Sequence, residues 1–207
     1  MNQMTPVTEP VSQARPPAPG ELTQRAARRS ELGYVHKRLV EAIDGIEDFS
    51  DEFRAFERAR LSKAYLADLH SIDPNHIRAC FAGETMTGFL ISGPECGNLW
   101  YYWGYVFPEV RTPKMAMVYL RLFLEHWDNS RFHKVSLYTT RTNRPTLALM
   151  KRFRFEHKCD LNNHVMGQDF MLFERPLNKV VPGYDHGTSV GRATRLRNRM
   201  LCALGLI

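Results

Sequence analysis

The chain has 207 residues, 43% of them hydrophobic, with 28 lysines and arginines against 22 acidic residues, a net charge of +6. Residues 1–30 hold Arg15, Arg25, Arg28 and Arg29 against Glu9 and Glu21. Residues 178–207 hold Lys179, Arg192, Arg195, Arg197 and Arg199 against Asp185, which leaves 19 bases and 19 acids for residues 31–177. A neutral middle excludes a nucleic-acid-binding core that works by global charge, since such a domain carries its own basic face.

The length suits one domain with a single core. No apolar run approaches the ~20 residues of a membrane span, and the first twenty residues lack the apolar stretch of a secretory signal. Cys80, Cys96, Cys159 and Cys202 are scattered without a Cys-x-x-Cys pair. That spacing reads as free thiols in a reducing, cytoplasmic compartment rather than as a zinc site or a disulfide framework. The eight histidines show no metal-ligand spacing either, so no metal is expected.

Five prolines among residues 1–20 predict a flexible, Pro-rich and basic arm, taken to run over 1–30. Residues 21–44 are ambiguous: a basic helix followed by a strand or a second helix. Ser50 is the expected N-cap of a helix that starts with Asp51 and Glu52, and the period of Phe53, Phe56, Ala59, Arg60, Ala64 and Ala67 carries it to about His70. After the Asp73-Pro74-Asn75 turn, 77–83 and 85–93 read as a hairpin through Gly83-Glu84. Residues 99–107, nearly all aromatic or β-branched, form the strongest strand, ended by Pro108. In the run Trp100-Tyr101-Tyr102-Trp103-Gly104-Tyr105 one face belongs to the core and the other is a candidate lining for a substrate cleft, and Gly104 marks a bulge or a close ligand approach.

Ala116, Leu120, Phe123 and Trp127 make one helical stripe over 113–128. A strand follows at 134–140, a helix at 144–153, and a final β pair at 159–166 and 169–177. Strand–helix–strand units in the second half imply parallel pairing beside an antiparallel first half.

This order, over about residues 50–177, resembles the GNAT-type (Gcn5-related) N-acetyltransferase fold. Two local patterns carry the resemblance. Val106-Phe-Pro108-Glu-Val-Arg111, leading into a helix, is similar to the family's fourth strand, V-x-P-x-x-Q/R, and its phosphate loop. Asn143, followed twelve residues later by Phe155 across an amphipathic helix, is similar to N-x-x-A-x-x-x-Y-x-x-x-G-F. The resemblance implies an α/β (α+β) domain over 31–177: a mixed, mostly antiparallel sheet whose splayed central parallel strands are flanked by helices. It also implies acetyl-CoA as co-substrate and a small-molecule or protein amine as acceptor. Val106, Arg111, Lys114, Met115, Ala116 and Asn143 are the implied cofactor-binding positions.

The sequence departs from the family at instructive places. The phosphate loop Q/R-x-x-G-x-G/A corresponds here to Arg111-Thr-Pro113-Lys114-Met115-Ala116, so lysine stands at the glycine position and Pro113 removes an N–H donor. Lys114 offers a point charge to phosphate in exchange. Met150 stands where the family often has its tyrosine acid, and Arg154 precedes Phe155 in place of glycine. Tyr138, Tyr102 and Tyr105 are substitute acids, with Tyr138 taken as the catalytic candidate. Glu109 is the nearest carboxylate for a general base.

Residues 178–187 read as a linker, and 188–207 as a basic amphipathic helix outside the transferase fold. That helix packs on its own domain, docks on a partner, or meets an anionic membrane or nucleic acid. The leading functional expectation is an acyl-CoA-dependent N-acyltransferase. The alternative is a catalytically degenerate GNAT-like adaptor held in an assembly by residues 1–30 and 188–207, for example a phage virion component.

Overall fold

The computed structural model describes residues 22–187 and 189–207; the prolines of the expected arm and Thr188 lie outside them. Among the described residues seven strands build one sheet: β1 (Leu22–Ala26), β2 (Ile77–Ala82), β3 (Thr85–Glu95), β4 (Asn98–Val106), β5 (Lys134–Thr139), β6 (Glu156–Val165) and β7 (Gln168–Pro176). Their spatial order is β1-β2-β3-β4-β5-β7-β6. All neighbours run antiparallel except β4 and β5, which are parallel. The helices are α1 (Leu32–Asp44), α2 (Asp51–Arg60), α3 (Lys63–Ile72), α4 (Met115–Trp127), α5 (Arg144–Arg152) and α6 (Arg192–Ala203). This is the mixed, mostly antiparallel sheet flanked by helices that the sequence led us to expect.

Two apolar layers hold the sheet between them. On one face Leu90, Leu99, Val135, Leu137 and Phe173 pack with Tyr119, Phe123 and Trp127 of α4 and Met150 of α5. On the other, Ile77, Phe89, Ile91 and Phe107 pack with Leu32, Val35 and Leu39 of α1 and Leu66 and Leu69 of α3. The parallel β4–α4–β5 connection explains why β4, rich in aromatic residues, has rings on both sides: both of its faces are covered.

The structure departs from expectation in four places. The single helix from Ser50 to His70 is two. Ser50 Oγ accepts the Phe53 N–H at 3.2 Å and starts α2, but Ser62 Oγ accepts the Tyr65 N–H at 3.4 Å and starts α3. Between them Leu61 leaves helical geometry (ψ 37°) and is fully buried. A second capping serine competes with helix continuation, and the apolar period alone does not reveal it.

Next, residues 22–26, inside the span expected as an arm, form the edge strand β1 paired with β2. Composition gives little β signal there. The strand is imposed from outside by the open edge of β2 and by buried Arg78, whose Nε donates to Gln24 Oε1 at 2.7 Å.

The linker 178–187 is also pinned to the domain. The Val180 N–H bonds to the Ser130 carbonyl, and Asp185 accepts from Arg131. Tyr184 lies edge-on to His133 and rests against Gly97.

Lastly, the bulge in β4 sits at Tyr102 rather than at Gly104. Ile91 pairs with Trp103 and Ser92 with Tyr101, leaving Tyr102 as the extra residue, while Gly104 pairs with Leu90. The extra residue turns Tyr102 and Trp103 toward the same apolar layer and Tyr101 toward the opposite one.

Candidate functional site

β4 and β5 pair only at Leu99–Val135 and Trp100–Ser136 among the described residues. Beyond those two rungs the strands separate, so 101–106 of β4 and 137–139 of β5 border an opening at the centre of the sheet. A parallel pair that ends this early leaves backbone donors and acceptors on both rims free for a ligand. The Tyr102 bulge lies directly past the last rung, where its added twist turns β4 away from β5.

At the C-terminal end of β4 the Phe107 N–H bonds to the Thr87 carbonyl at 2.9 Å, and a 3-10 turn over Pro108–Val110 leads into the loop before α4. Arg111 folds back and donates from a guanidinium nitrogen to the Val106 carbonyl at 3.0 Å. Lys114 is exposed at the N-cap of α4, Met115 is buried, and Ala116 is half-buried. The Met115 N–H is taken by the Thr112 carbonyl at 3.2 Å. The next two amides, of Ala116 and Met117, have no backbone acceptor among the described residues and form the positive end of α4. Val106, Arg111, Lys114, Met115 and Ala116 therefore converge on one loop and helix start beside the opening.

Asn143 lies four residues past the end of β5. Its side-chain oxygen accepts the Thr146 N–H at 3.2 Å and caps α5. Thr139, the last residue of β5, has a buried hydroxyl with no hydrogen-bond partner among the described residues. An unpaired buried hydroxyl costs free energy. Its position is invisible in the sequence, because only the early end of β4–β5 pairing sets it beside an open rim.

The two expected proton carriers are not brought together. Glu109 is clamped by Arg38 at 2.8 Å, and the Arg38 guanidinium lies 4.1 Å from the centre of the Phe107 ring. Slight burial pushes its carboxyl upward, but its own backbone N–H and Arg38 outweigh this and hold it below the usual carboxylate range. Tyr138 projects from β5 against Trp100, 4.7 Å between ring centroids, with His164 at 5.2 Å and Phe170 at 6.2 Å. Burial, and to a lesser degree Glu95, raise its phenol above the ordinary value, so it stays protonated. Of the other substitute acids, Tyr102 packs in the α1–α3 layer with Tyr65, and burial first, then Tyr65, raises it. Tyr105 is raised by burial as well. Met150 is fully enclosed in the α4–α5 layer.

A group that sequence reasoning missed lies under α2. Glu57 is buried, and its carboxylate accepts from Trp103 Nε1 at 2.7 Å and from two Arg60 nitrogens at 2.6 and 2.8 Å. The Arg60 spacing was visible; the Trp103 partner, 46 positions away, was not. Among the described residues no group of three or more His, Cys, Asp or Glu side chains is arranged to hold a metal, and the four cysteines are unpaired thiols.

No family model matches the sequence, and a search of curated proteins returns no match. Solved structures do match. A GNAT-family acetyltransferase from Bacillus cereus has a TM-score of 0.54 at 17% identity, covering 77% of this chain and 99% of that one. RimL, a ribosomal L7/L12 α-N-protein acetyltransferase in complex with coenzyme A, has a TM-score of 0.57 at 15% identity, covering 76% and 95%. Arabidopsis thaliana Naa50 in complex with the bisubstrate analogue CoA-Ac-MVNAL has a TM-score of 0.56 at 13% identity, covering 75% and 98%. The chain has the GNAT fold, spans those structures almost end to end, and adds segments of its own.

Proposed function

We propose that the protein is an acyl-CoA-dependent N-acyltransferase that acetylates an amine. The observation that carries this reading is the opening beyond the Trp100–Ser136 rung, with the free amides of α4 at one end and the unpaired Thr139 hydroxyl on its rim. Acetyl-CoA would supply the acyl group as a thioester. The Ala116 and Met117 amides, with Lys114 as a point charge, would hold its pyrophosphate, since a helix N-terminus favours an anion. Val106, Met115 and Ala116 would form the wall beside it, with Thr139 and Asn143 along the pantetheine arm. Arg111 acts through the Val106 carbonyl and sets the shape of the loop.

For proton transfer we assign Tyr138 as the donor beside the acceptor, because its phenol is held neutral among aromatic rings. Glu109 is the weaker candidate base, since it must first part from Arg38. The solved CoA complexes of RimL and Naa50 support the choice of cofactor at the level of the fold.

Burial of Met150 and the Arg111–Val106 bond favour a second reading, a domain that keeps the fold and has lost catalysis. Calorimetric titration of acetyl-CoA into the purified protein separates the two. Binding that weakens in Lys114→Ala is expected; no heat at high micromolar cofactor would sink the transferase reading.

A further inference from the structure

The C-terminal helix α6 packs on α3, but not through the side its sequence suggests. The inward side is centred on a polar residue flanked by Leu201 and Cys202. Asn198 is fully buried; its amide donates to Asp68 Oδ1 at 2.7 Å and to Ser71 Oγ at 3.2 Å, and its carbonyl accepts from Arg29. Leu201 and Cys202 flank it against the α1–α3 layer, and Ile207 is buried there beside Gly33. The helix closes in a Schellman turn, with Gly205 at φ +68° and the Leu206 N–H bonded to the Leu201 carbonyl at 3.0 Å.

The outward side carries the apolar stripe. Leu196, Met200 and Leu204 recur every fourth residue, one face of a helix, and they are 61%, 56% and 68% exposed, with Leu206 at 63%. Arginines border the stripe on both sides: Arg197 on one, Arg192 and Arg199 on the other, all exposed. None of these three has a carboxylate in salt-bridge reach among the described residues, and residues 189–207 contain no Asp or Glu. Arg192 stands in the first turn, where the helix dipole disfavours a cation. Nothing inside the domain accounts for either the apolar stripe or the charge along it.

We propose that α6 is a docking helix for an anionic membrane surface, with Leu196, Met200 and Leu204 set into the headgroup boundary and Arg192, Arg197 and Arg199 level with lipid phosphates. Charge complementarity selects an anionic partner, and the apolar stripe requires one with an apolar layer beneath its charge, which a nucleic acid lacks. The helix lies on the membrane plane; among the described residues no helix is long and apolar enough to cross one.

The test is co-flotation of the full chain with vesicles of phosphatidylcholine alone and with vesicles of equal parts phosphatidylcholine and phosphatidylserine. Binding to the mixed vesicles, little to the neutral ones, and release by salt are expected. Leu196→Glu with Met200→Glu should abolish binding. Because both side chains are exposed, unchanged thermal unfolding is the control for folding. Each of Arg192→Gln, Arg197→Gln and Arg199→Gln should lower partitioning about fivefold. Absence of flotation, equal binding to both vesicles, or binding unaffected by the substitutions overturns the proposal. So does lipid-free self-association that the Leu196 and Met200 substitutions dissolve, which would make the stripe an interface between copies. The outcome is independent of acetyl-CoA binding.

Discussion

The hydroxyl oxygen of Tyr101 occupies the place where residue 104 would carry a side chain: a Cβ on Gly104 would overlap it. In a regular strand these residues face opposite sides; the extra residue at Tyr102 puts them on the same one. The Tyr101 ring is wedged edge-on against Phe123, 5.2 Å between centroids, and has little room to retreat. Gly104→Ala should therefore overpack the sheet at a cost of about 1–3 kcal/mol. At this chain length that lowers the melting temperature by roughly 2–4 °C per kcal/mol. Gly104→Ala combined with Tyr101→Phe should recover part of the loss. A single substitution that melts like the parent would show that the ring is free to move.

His76 gives stability a pH dependence. It is fully enclosed, stacked on Trp127 at 5.2 Å, with Nδ1 against Ser92 Oγ at 3.3 Å. Burial first, then Arg131, pushes its imidazole down from 6.5 to about 4. Unfolded, the ring takes up a proton near 6.5; folded, it stays neutral until about 4. Acidification across that window therefore favours the unfolded chain. At about 1.4 kcal/mol per pH unit the loss attributable to His76 is on the order of 3 kcal/mol. Burial lowers His36, His70 and His126 as well, so they add to the same slope. Urea unfolding between pH 7 and pH 4.5 should show the decline, and His76→Phe should flatten it in part. An unchanged slope in that variant would remove His76 from the account.

Arg131 ties the linker to the domain. It donates to Asp73 at 2.9 Å and to Asp185, over the faces of Trp127 and Phe132. Arg131→Ala leaves two partly buried carboxylates unpaired, which should cost about 1–3 kcal/mol. Limited proteolysis near Tyr184 should become faster while the sheet stays intact. Equal cleavage rates would mean the linker is held by its other contacts.

Glu57 makes a comparable prediction on α2. Glu57→Ala strands the Trp103 N–H and leaves Arg60 without its partner, which should cost about 3 kcal/mol. The emission of Trp103 should move to the red as water reaches the indole. A stable variant with unchanged emission would show that the carboxylate is dispensable.

Met150 is closed on all sides by the α4–α5 layer. Met150→Ala should cost about 2–5 kcal/mol through the cavity it leaves. Met150→Tyr, which would reinstate the family's phenol, should destabilise by about 1–3 kcal/mol through overpacking. It should add no acetyl-transfer activity to that of the parent, because position 150 is enclosed in the α4–α5 layer. A stable tyrosine variant more active than the parent would overturn the placement of this residue.

Much of the fold was legible in the amino-acid sequence because local order carries it. The helix stripe Ala116–Leu120–Phe123–Trp127, the Gly83 hairpin, the aromatic β4 and the cap Ser50 are each decided within about three helical turns of chain. The positions on the α4 loop came from the resemblance of Val106–Arg111 and the helix start after it to the family's fourth strand and phosphate loop, and Val106, Arg111, Lys114, Met115 and Ala116 are neighbours along one short stretch of chain.

What escaped the sequence depends on partners far away along the chain. β1 is a strand because β2 offers an edge; Tyr102, not Gly104, is the bulge because of the register with β3; and the rim beside Thr139 is open because β5 leaves β4 after two rungs. In α6 the sequence settled the amphipathic pattern and the run of arginines. Tertiary structure decided which side is covered, and it chose Asn198. The hydrogen bonds that Asn198 makes to Arg29, Asp68 and Ser71 bind the helix by its polar side and leave Leu196, Met200 and Leu204 facing out.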